Sequence, residues 1–298
     1  MHIFVTGATG FVGSAVVREL LDAGHSVTGL ARSETGAEAL ARAGAAVHRS
    51  DFDDLPDLRA AAGRADGVIH TAFNHDFSTF KENCEADRLV IAALGEALAG
   101  SDRPLVVTSG IGVLPQGGVT SEETRPAVGE AAHPRAASEQ VVDEIAVRGG
   151  RVCALRLPPS VHGEGDHGFV PMLVKLARES GVSAYPGEGR NRWPAVHRLD
   201  AARLYRLAVE GGAAGARYHA VAEEGVDFRD IAAAIGRGLG VPVVGLTPQE
   251  AQAHFGWFAH FAAMDVPSVS RWTQEALGWR PTGPRLLADL DGPAYFKG

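Results

Sequence analysis

The stretch Thr6-Gly7-Ala8-Thr9-Gly10-Phe11-Val12-Gly13 sets three glycines at three-residue spacing directly after an apolar run, His2–Thr6. Such residues at the join of a strand and a helix can cradle a phosphate. Gly7 allows the tight turn, Gly10 lets a diphosphate approach the backbone, and Gly13 lets the helix pack closely on the strand. Free N–H groups and the positive helix end then face the anion. The spacing is G-x-x-G-x-x-G rather than G-x-G-x-x-G. The next apolar run, Ser26–Ala31, ends in Arg32-Ser33. A carboxylate at that point accepts from a ribose hydroxyl, whereas a guanidinium clamps a 2′-phosphate, so Arg32 and Ser33 point to NADP(H). The alternative is a solvated surface arginine, and Glu34 would repel the phosphate if it faced inward. After Ala46–Ser50, Asp51 can hydrogen-bond an adenine amine and Phe52 can cover the ring, while Asp53 and Asp54 read as solvated.

Rival chemistries lack their partners. Ser78-Thr79-Phe80-Lys81 has the S-x-x-K spacing of acyl enzymes, but no K-T-G or S-D-N completes it. Ser109 has no glycine two residues before it and makes no nucleophile elbow. His162, Glu164, Asp166 and His167 share a glycine-rich loop without the helical or hairpin spacing that would converge them on a metal, so no metal is expected. Cys84 and Cys153 sit at no redox or metal spacing.

The elements needed to position a phosphate loop are present. Candidate strands at His2–Thr6, Ser26–Ala31, Ala46–Ser50, Gly67–Thr71, Leu105–Thr108 and Arg151–Leu157 alternate with helical windows near Val12–Ala23, Thr35–Ala43, Leu55–Ala62, Glu82–Ala99 and Pro134–Arg148. Strands joined by helices of this length need right-handed crossovers, which predicts an α/β fold with a doubly wound parallel sheet. Beyond Pro158, Asp200 reads as the N-cap of a helix through Val209, and Arg217–Val221 as a strand returning to the sheet. Asp227 reads as the cap of Phe228–Leu239, and Thr247-Pro248-Gln249-Glu250 as a capping box. The expected organisation is a dinucleotide domain over 1–160 with about 195–225, and a smaller C-terminal substrate lobe over about 161–194 with 226–298.

With 28 basic and 36 acidic residues the net charge is −8. No basic run suits nucleic acid or an anionic membrane. No apolar stretch approaches the roughly 18–20 residues of a membrane span, and Met1–Thr6 is too short for a signal peptide's apolar region, so a cytoplasmic protein is expected.

These residues together resemble the extended short-chain dehydrogenase/reductase family, in its divergent branch: TGATGFVG at 6–13, SDFDD at 50–54, VIHTAF at 68–73, VVTSG at 106–110, VHG at 161–163, VHRLDAARL at 196–204 and LGWRP at 277–281. The resemblance implies a Rossmann fold and cofactor contacts from Gly7, Thr9, Gly10, Phe11, Val12, Gly13, Arg32, Asp51 and Phe52, with Thr71-Ala72-Phe73 lining the ribose and nicotinamide side. It also implies helices near 82–99 and 134–148 as a possible homodimer interface. The family's Tyr-x-x-x-Lys pair is missing: Arg135 falls at the tyrosine position and Glu139 at the lysine position. On the plainest reading those two form an ion pair one turn apart. The family's carbonyl-polarising serine falls at Ser109, or by strict register at Gly110. His162, whose type suits proton donation, is a second catalytic candidate, and Arg135 a third through a water held beside it.

The function expected is an NADPH-dependent carbonyl reductase or alcohol dehydrogenase acting by hydride transfer. Phe255, Trp257, Phe258, Phe261 and Met264 are too dense for one helical stripe, so part of that run can wall an apolar cleft, which favours a compact apolar or aromatic carbonyl or alcohol substrate. Two alternatives stand beside it: an NADP-binding sensor without catalysis, and a nucleotide-sugar epimerase or dehydratase, for which Arg190 and Arg192 are the only nearby basic groups.

Overall fold

The computed structural model describes residues 1–129 and 132–296. Residues 297–298, the end of the expected lobe, lie outside it. In the first half, β1 (His2–Thr6), β2 (Ser26–Ala31), β3 (Ala46–Arg49), β4 (Gly67–His70), β5 (Leu105–Gly110) and β6 (Val152–Leu157) alternate with α1 (Phe11–Asp22), α2 (Glu34–Ala43), α3 (Leu55–Gly63), α4 (Phe80–Leu98) and α5 (Ala137–Val147). Then follow β7 (Ser160–His162), α6 (Phe169–Ser180), β8 (Ser183–Pro186), β9 (Arg192–His197), α7 (Arg198–Gly211), β10 (Arg217–His219), β11 (Glu223–Asp227), α8 (Phe228–Leu239), β12 (Val243–Leu246), α9 (Pro248–Phe255), α10 (Ala259–Ala262), α11 (Arg271–Leu277) and α12 (Leu286–Leu290).

The main sheet runs β3-β2-β1-β4-β5-β6-β10 with every pair parallel. This is the Rossmann order extended by β10, and it reverses direction between β1 and β4, where ligands of such sheets bind. Both faces are apolar because the strand residues alternate. Ile3, Val5, Ile69 and Val106 pack with Val16 and Leu20 of α1 and with Leu204 and Tyr205 of α7. Phe4, Val68 and Val107 pack with Leu58 of α3, Val90, Ile91 and Leu94 of α4, and Val142 of α5. A separate core joins Trp193, Phe228, Ile231 and Ile235 to Leu173, Phe255, Phe258 and Leu286. It is served by a three-stranded sheet, β11-β9-β7, and a parallel pair, β12-β8.

Three local readings are corrected. Asp200 does not cap α7: His197 does, accepting from the Leu199 N–H, while Asp200 is buried one turn in and accepts from Thr282 N and Gly283 N. Asp227 occupies the cap position of α8 without a side-chain bond. The helix expected from Pro134 begins as a 3₁₀ turn over Pro134–Ala136 before α5. The Thr247–Glu250 capping box is formed as read.

Candidate functional site

At the reversal point Gly7 and Gly13 are sterically required. Gly7 has φ +66°, and a Cβ there would stand 2.6 Å from Ala72 N. A Cβ on Gly13 would stand 2.0 Å from the Gly7 carbonyl. Gly10 caps α1 with no side-chain bond, and no acid lies in the first turn. The first amides of α1, among them those of Phe11 and Val12, therefore face outward with no side-chain acceptor, the donor set a diphosphate needs. Thr71 closes the other side, its hydroxyl donating to the Thr6 carbonyl at 2.7 Å. Arg198, at the start of α7, lies over the Phe11 ring at 5.1 Å and has no carboxylate partner among the described residues.

At the end of β2, Arg32 is exposed and makes no ion pair among the described residues. Glu34 does not face it, being bonded instead to Arg49 at 2.8 Å. Ser33 caps α2 by accepting from Gly36 N at 3.1 Å, which leaves its hydroxyl proton free. Asp51 is exposed, and Phe52 lies against the core with its ring stacked on His70 at 6.0 Å.

The strand ends carry two buried charge networks. In the first, Thr6 Oγ1 bonds His70 Nδ1 at 2.7 Å, and His70 Nε2 bonds Asp87 at 3.0 Å. Asp87 also accepts from Ser138 at 2.7 Å and pairs with Arg135. Burial pushes the Asp87 carboxyl up, but Arg135, His70 and Ser138 outweigh it and hold it below the usual range. Arg135 further donates to Ser138 Oγ at 2.8 Å and to the Thr108 carbonyl at 3.2 Å, and its guanidinium lies 4.0 Å over the Phe73 ring. Three of its five N–H donors are thereby engaged, and Nε–H and one Nη2–H remain.

In the second network, Glu139 accepts from Arg156 through both carboxylate oxygens at 2.7 Å, from Arg217 at 3.3 Å and from Ser109 at 2.7 Å. Burial raises the Glu139 carboxyl, and Arg156, Ser109 and Arg217 more than reverse that. Arg156 also donates to His219 Nε2 at 3.0 Å, and burial with that guanidinium pushes His219 down to about 3.

Arg135 and Glu139 thus do not pair with each other. Ser109, expected to receive a developing alkoxide, spends its only proton on Glu139. His162 is fully buried, its Nδ1 bonded to Asp289 at 2.6 Å, and it is part of neither network.

Sequence reasoning missed two features. One is Asp87, which falls at the 87, 90, 91, 94 spacing of the buried stripe of α4, so a carboxylate there had to have a buried counter-charge. The other is the half of an aromatic wall that follows β4. The loop after β4 brings Phe73 and Phe80 within 6.0 Å, and Phe77 stacks on Phe80 at 5.6 Å and on Trp257 at 5.0 Å. Phe77 also meets Phe261 at 5.3 Å and Phe169 at 6.3 Å. Of the expected C-terminal run, Trp257 and Phe261 join this wall, whereas Phe255, Phe258 and Met264 are core. His75 sits beside Phe73 at 5.1 Å.

Comparison with known proteins agrees with the sheet order. The model of a family described as the NAD dependent epimerase/dehydratase family matches residues 3–222. The chain is 49% identical over 296 residues to the uncharacterized protein C2A9.02 of Schizosaccharomyces pombe, covering 99% of this chain and 100% of that one. It is 30% identical over 234 residues to a 2-alkyl-3-oxoalkanoate reductase of Stenotrophomonas maltophilia, covering 72% and 67%. Among solved structures, the dTDP-glucose 4,6-dehydratase DesIV of Streptomyces venezuelae superposes with a TM-score of 0.78 at 20% identity, over 100% of this chain and 97% of that one.

Proposed function

Since the chain belongs to the NAD dependent epimerase/dehydratase family, we propose that it is an NADP(H)-dependent carbonyl reductase or alcohol dehydrogenase for a compact apolar or aromatic substrate. The observation that carries this reading is Arg135: a guanidinium pinned by Asp87, Ser138 and the Thr108 carbonyl, with two donors left over, at an aromatic wall beside the strand ends. A reductase among the relatives supports the direction. The family implies a nicotinamide cofactor, and the uncapped α1 and its glycine cradle fit one. The amides of Phe11 and Val12 would hold its diphosphate with Arg198 beside them, and Arg32 with the free Ser33 proton would hold a 2′-phosphate.

When bound, the cofactor supplies the hydride exchange. Arg135 would give its two remaining N–H groups to the substrate oxygen, where negative charge grows in the transition state, beside the aromatic wall. Because its geometry is fixed beforehand by three partners, it needs no reorganisation as that charge appears. Arginine keeps its proton, so an alkoxide made at that oxygen takes one from a water beside the guanidinium, which leaves as hydroxide. The two basic groups that the sequence offered for a nucleotide sugar are committed elsewhere, Arg190 to Glu188 and Arg192 to Asp265.

The test is consumption of NADPH and of NADH over a panel of aryl and cyclic ketones, with cofactor affinities measured by calorimetry. NADPH-dependent turnover with tighter NADPH binding is expected. Equal affinities overturn the NADP assignment. NADPH binding with no turnover of any ketone favours the second reading, a non-catalytic NADP-binding protein, for which the committed Ser109 proton is the specific observation.

A further inference from the structure

The loop over Gly163–Gly168 joins β7 to α6, and the residues that looked like metal ligands around it part company. His162, just before it, turns to Asp289 of α12. Asp166 turns instead to the far end of the chain. The Tyr295 hydroxyl, on the 3₁₀ turn Pro293–Tyr295, donates to Asp166 Oδ2 at 2.9 Å and accepts from the Gly163 amide at 3.1 Å. Asp166 Oδ1 accepts in turn from the Gly168 amide at 2.7 Å. Burial and the neighbouring Asp166 carboxylate push the Tyr295 phenol up, so it keeps its proton and remains the donor. One hydroxyl from the tail thus holds the first residue of the loop directly and the last through Asp166.

The held loop lies against the glycine cradle. His167 meets the Phe11 ring edge-on at 5.8 Å. Gly165 backs onto Arg198, since a Cβ on it would stand 3.8 Å from Nη1, in van der Waals contact. Phe11 is the first residue of α1, and Arg198 lies over the same ring at 5.1 Å. The loop therefore touches two of the groups that flank the free amides of α1. Its start is fixed as well: Gly163 has φ +137°, and a Cβ there would stand 2.9 Å from His197 Nε2.

A loop that becomes ordered only when a ligand arrives subtracts its ordering cost from the affinity, and one ordered beforehand does not. We propose that Tyr295 is a positioning residue for the cofactor: through Asp166 and the Gly163 amide it keeps the loop laid against Phe11 and Arg198, ready for the diphosphate. The C-terminal turn and the cofactor cradle are coupled through this latch. The proposal rests on reading the α1 cradle as a dinucleotide site, and not on the choice between NADP(H) and NAD(H), because both carry the diphosphate.

The experiment is calorimetric titration of the full chain with NADPH and with NADH, in the parent and in three variants. Tyr295→Phe removes both latch bonds and should weaken the two cofactors alike, by about tenfold. Asp166→Ala cuts the latch from the loop side and should weaken both at least as much. The double variant should bind no more weakly than Asp166→Ala alone, since residues acting through one shared contact are not additive. Arg237→Ala is the control: it unties Asp291 in the same tail, where the pair stands at 2.9 Å, and touches nothing in the loop. It should leave both affinities within about twofold. The proposal is overturned if Tyr295→Phe binds like the parent, if it weakens NADPH alone, if the double variant shows the sum of the two losses, or if Arg237→Ala weakens binding as much. Binding of neither cofactor by the parent overturns the dinucleotide reading itself, and the latch falls with it.

Discussion

The two charge networks begin on neighbouring turns of one helical stretch and end in different worlds. Glu139 is enclosed: it is 2% exposed, Arg156 0% and Arg217 4%, and its acceptors serve two guanidiniums and a serine. Arg135 also meets a buried carboxylate, but its guanidinium lies over the Phe73 ring with its side chain 11% exposed. One cluster is closed and the other is open on one side. A network sealed from solvent holds elements together, here α5 to β6 and β10. Arg156 leaves as many N–H groups unengaged as Arg135 does, so what sets Arg135 apart is its place over the Phe73 ring at the aromatic wall, where it can act on something that binds there.

The largest effect should come from opening the closed cluster. Glu139→Ala leaves Arg156 buried without a carboxylate and Arg217 with Asp143 alone, which costs about 3–5 kcal/mol. The melting temperature should fall by on the order of 10 °C, and a change under about 2 °C by circular dichroism would show that the cluster carries no stability. The same cluster sets an acid response. Glu139 is held low, so its contribution is full above the unfolded carboxylate value of ~4.3 and is lost as pH falls through its lower native value. His219, pushed down to about 3, stays neutral in the fold while the unfolded chain protonates near ~6.5, so its contribution is lost as pH falls from ~6.5 toward that lower value. The melting temperature should therefore start falling near pH 6.5. His219→Gln, whose amide oxygen can still accept from Arg156, should flatten the upper part of that fall.

The open cluster should break in activity. Arg135→Gln removes the charge and should lower kcat by ~10²–10³, about 3–4 kcal/mol, with NADPH affinity within about twofold. Arg135→Lys should recover part of the rate. If Arg135→Gln keeps full kcat, the spare donors touch no reacting oxygen and the contrast between the clusters is only one of exposure.

A smaller effect is expected away from both. Arg32→Ala should weaken NADPH by about 1.5–3 kcal/mol, ten- to a hundredfold, and leave NADH unchanged. Arg49, committed to Glu34, is the matched control and should change neither.

The fold was readable because its determinants are periodic and local: alternating apolar strands, helices of crossover length and glycines at a strand end. The caps show the limit. Thr247 and Glu250 form their box within four residues, whereas Asp200 looked like a cap and instead serves amides of Thr282 and Gly283, a use that only the folded tail reveals. The reading of Arg135 and Glu139 as a pair failed in the same way. Arg135 and Glu139 at helical spacing suggested a local pair, but buried charges take whichever partner burial supplies, and Asp87 and Arg156 lie 48 and 17 residues away from them. Asp87 on an otherwise apolar stripe was the one sequence signal of that arrangement.

Ser109 divides the two clusters most finely, because its position on β5 suits a substrate contact while its proton belongs to Glu139. Ser109→Ala removes one of the donors on Glu139 Oε1, and that oxygen keeps the Arg156 Nε–H at 2.7 Å. No buried acceptor is left bare, so the cost in stability should be only about 1 kcal/mol. If the closed cluster is structural, kcat should stay within about threefold of the parent, because no transition-state contact is lost. A drop of about tenfold or more at unchanged melting temperature would mean that the hydroxyl turns from Glu139 to the substrate oxygen. The serine would then belong to the open cluster, with Arg135 beside it on the same developing charge.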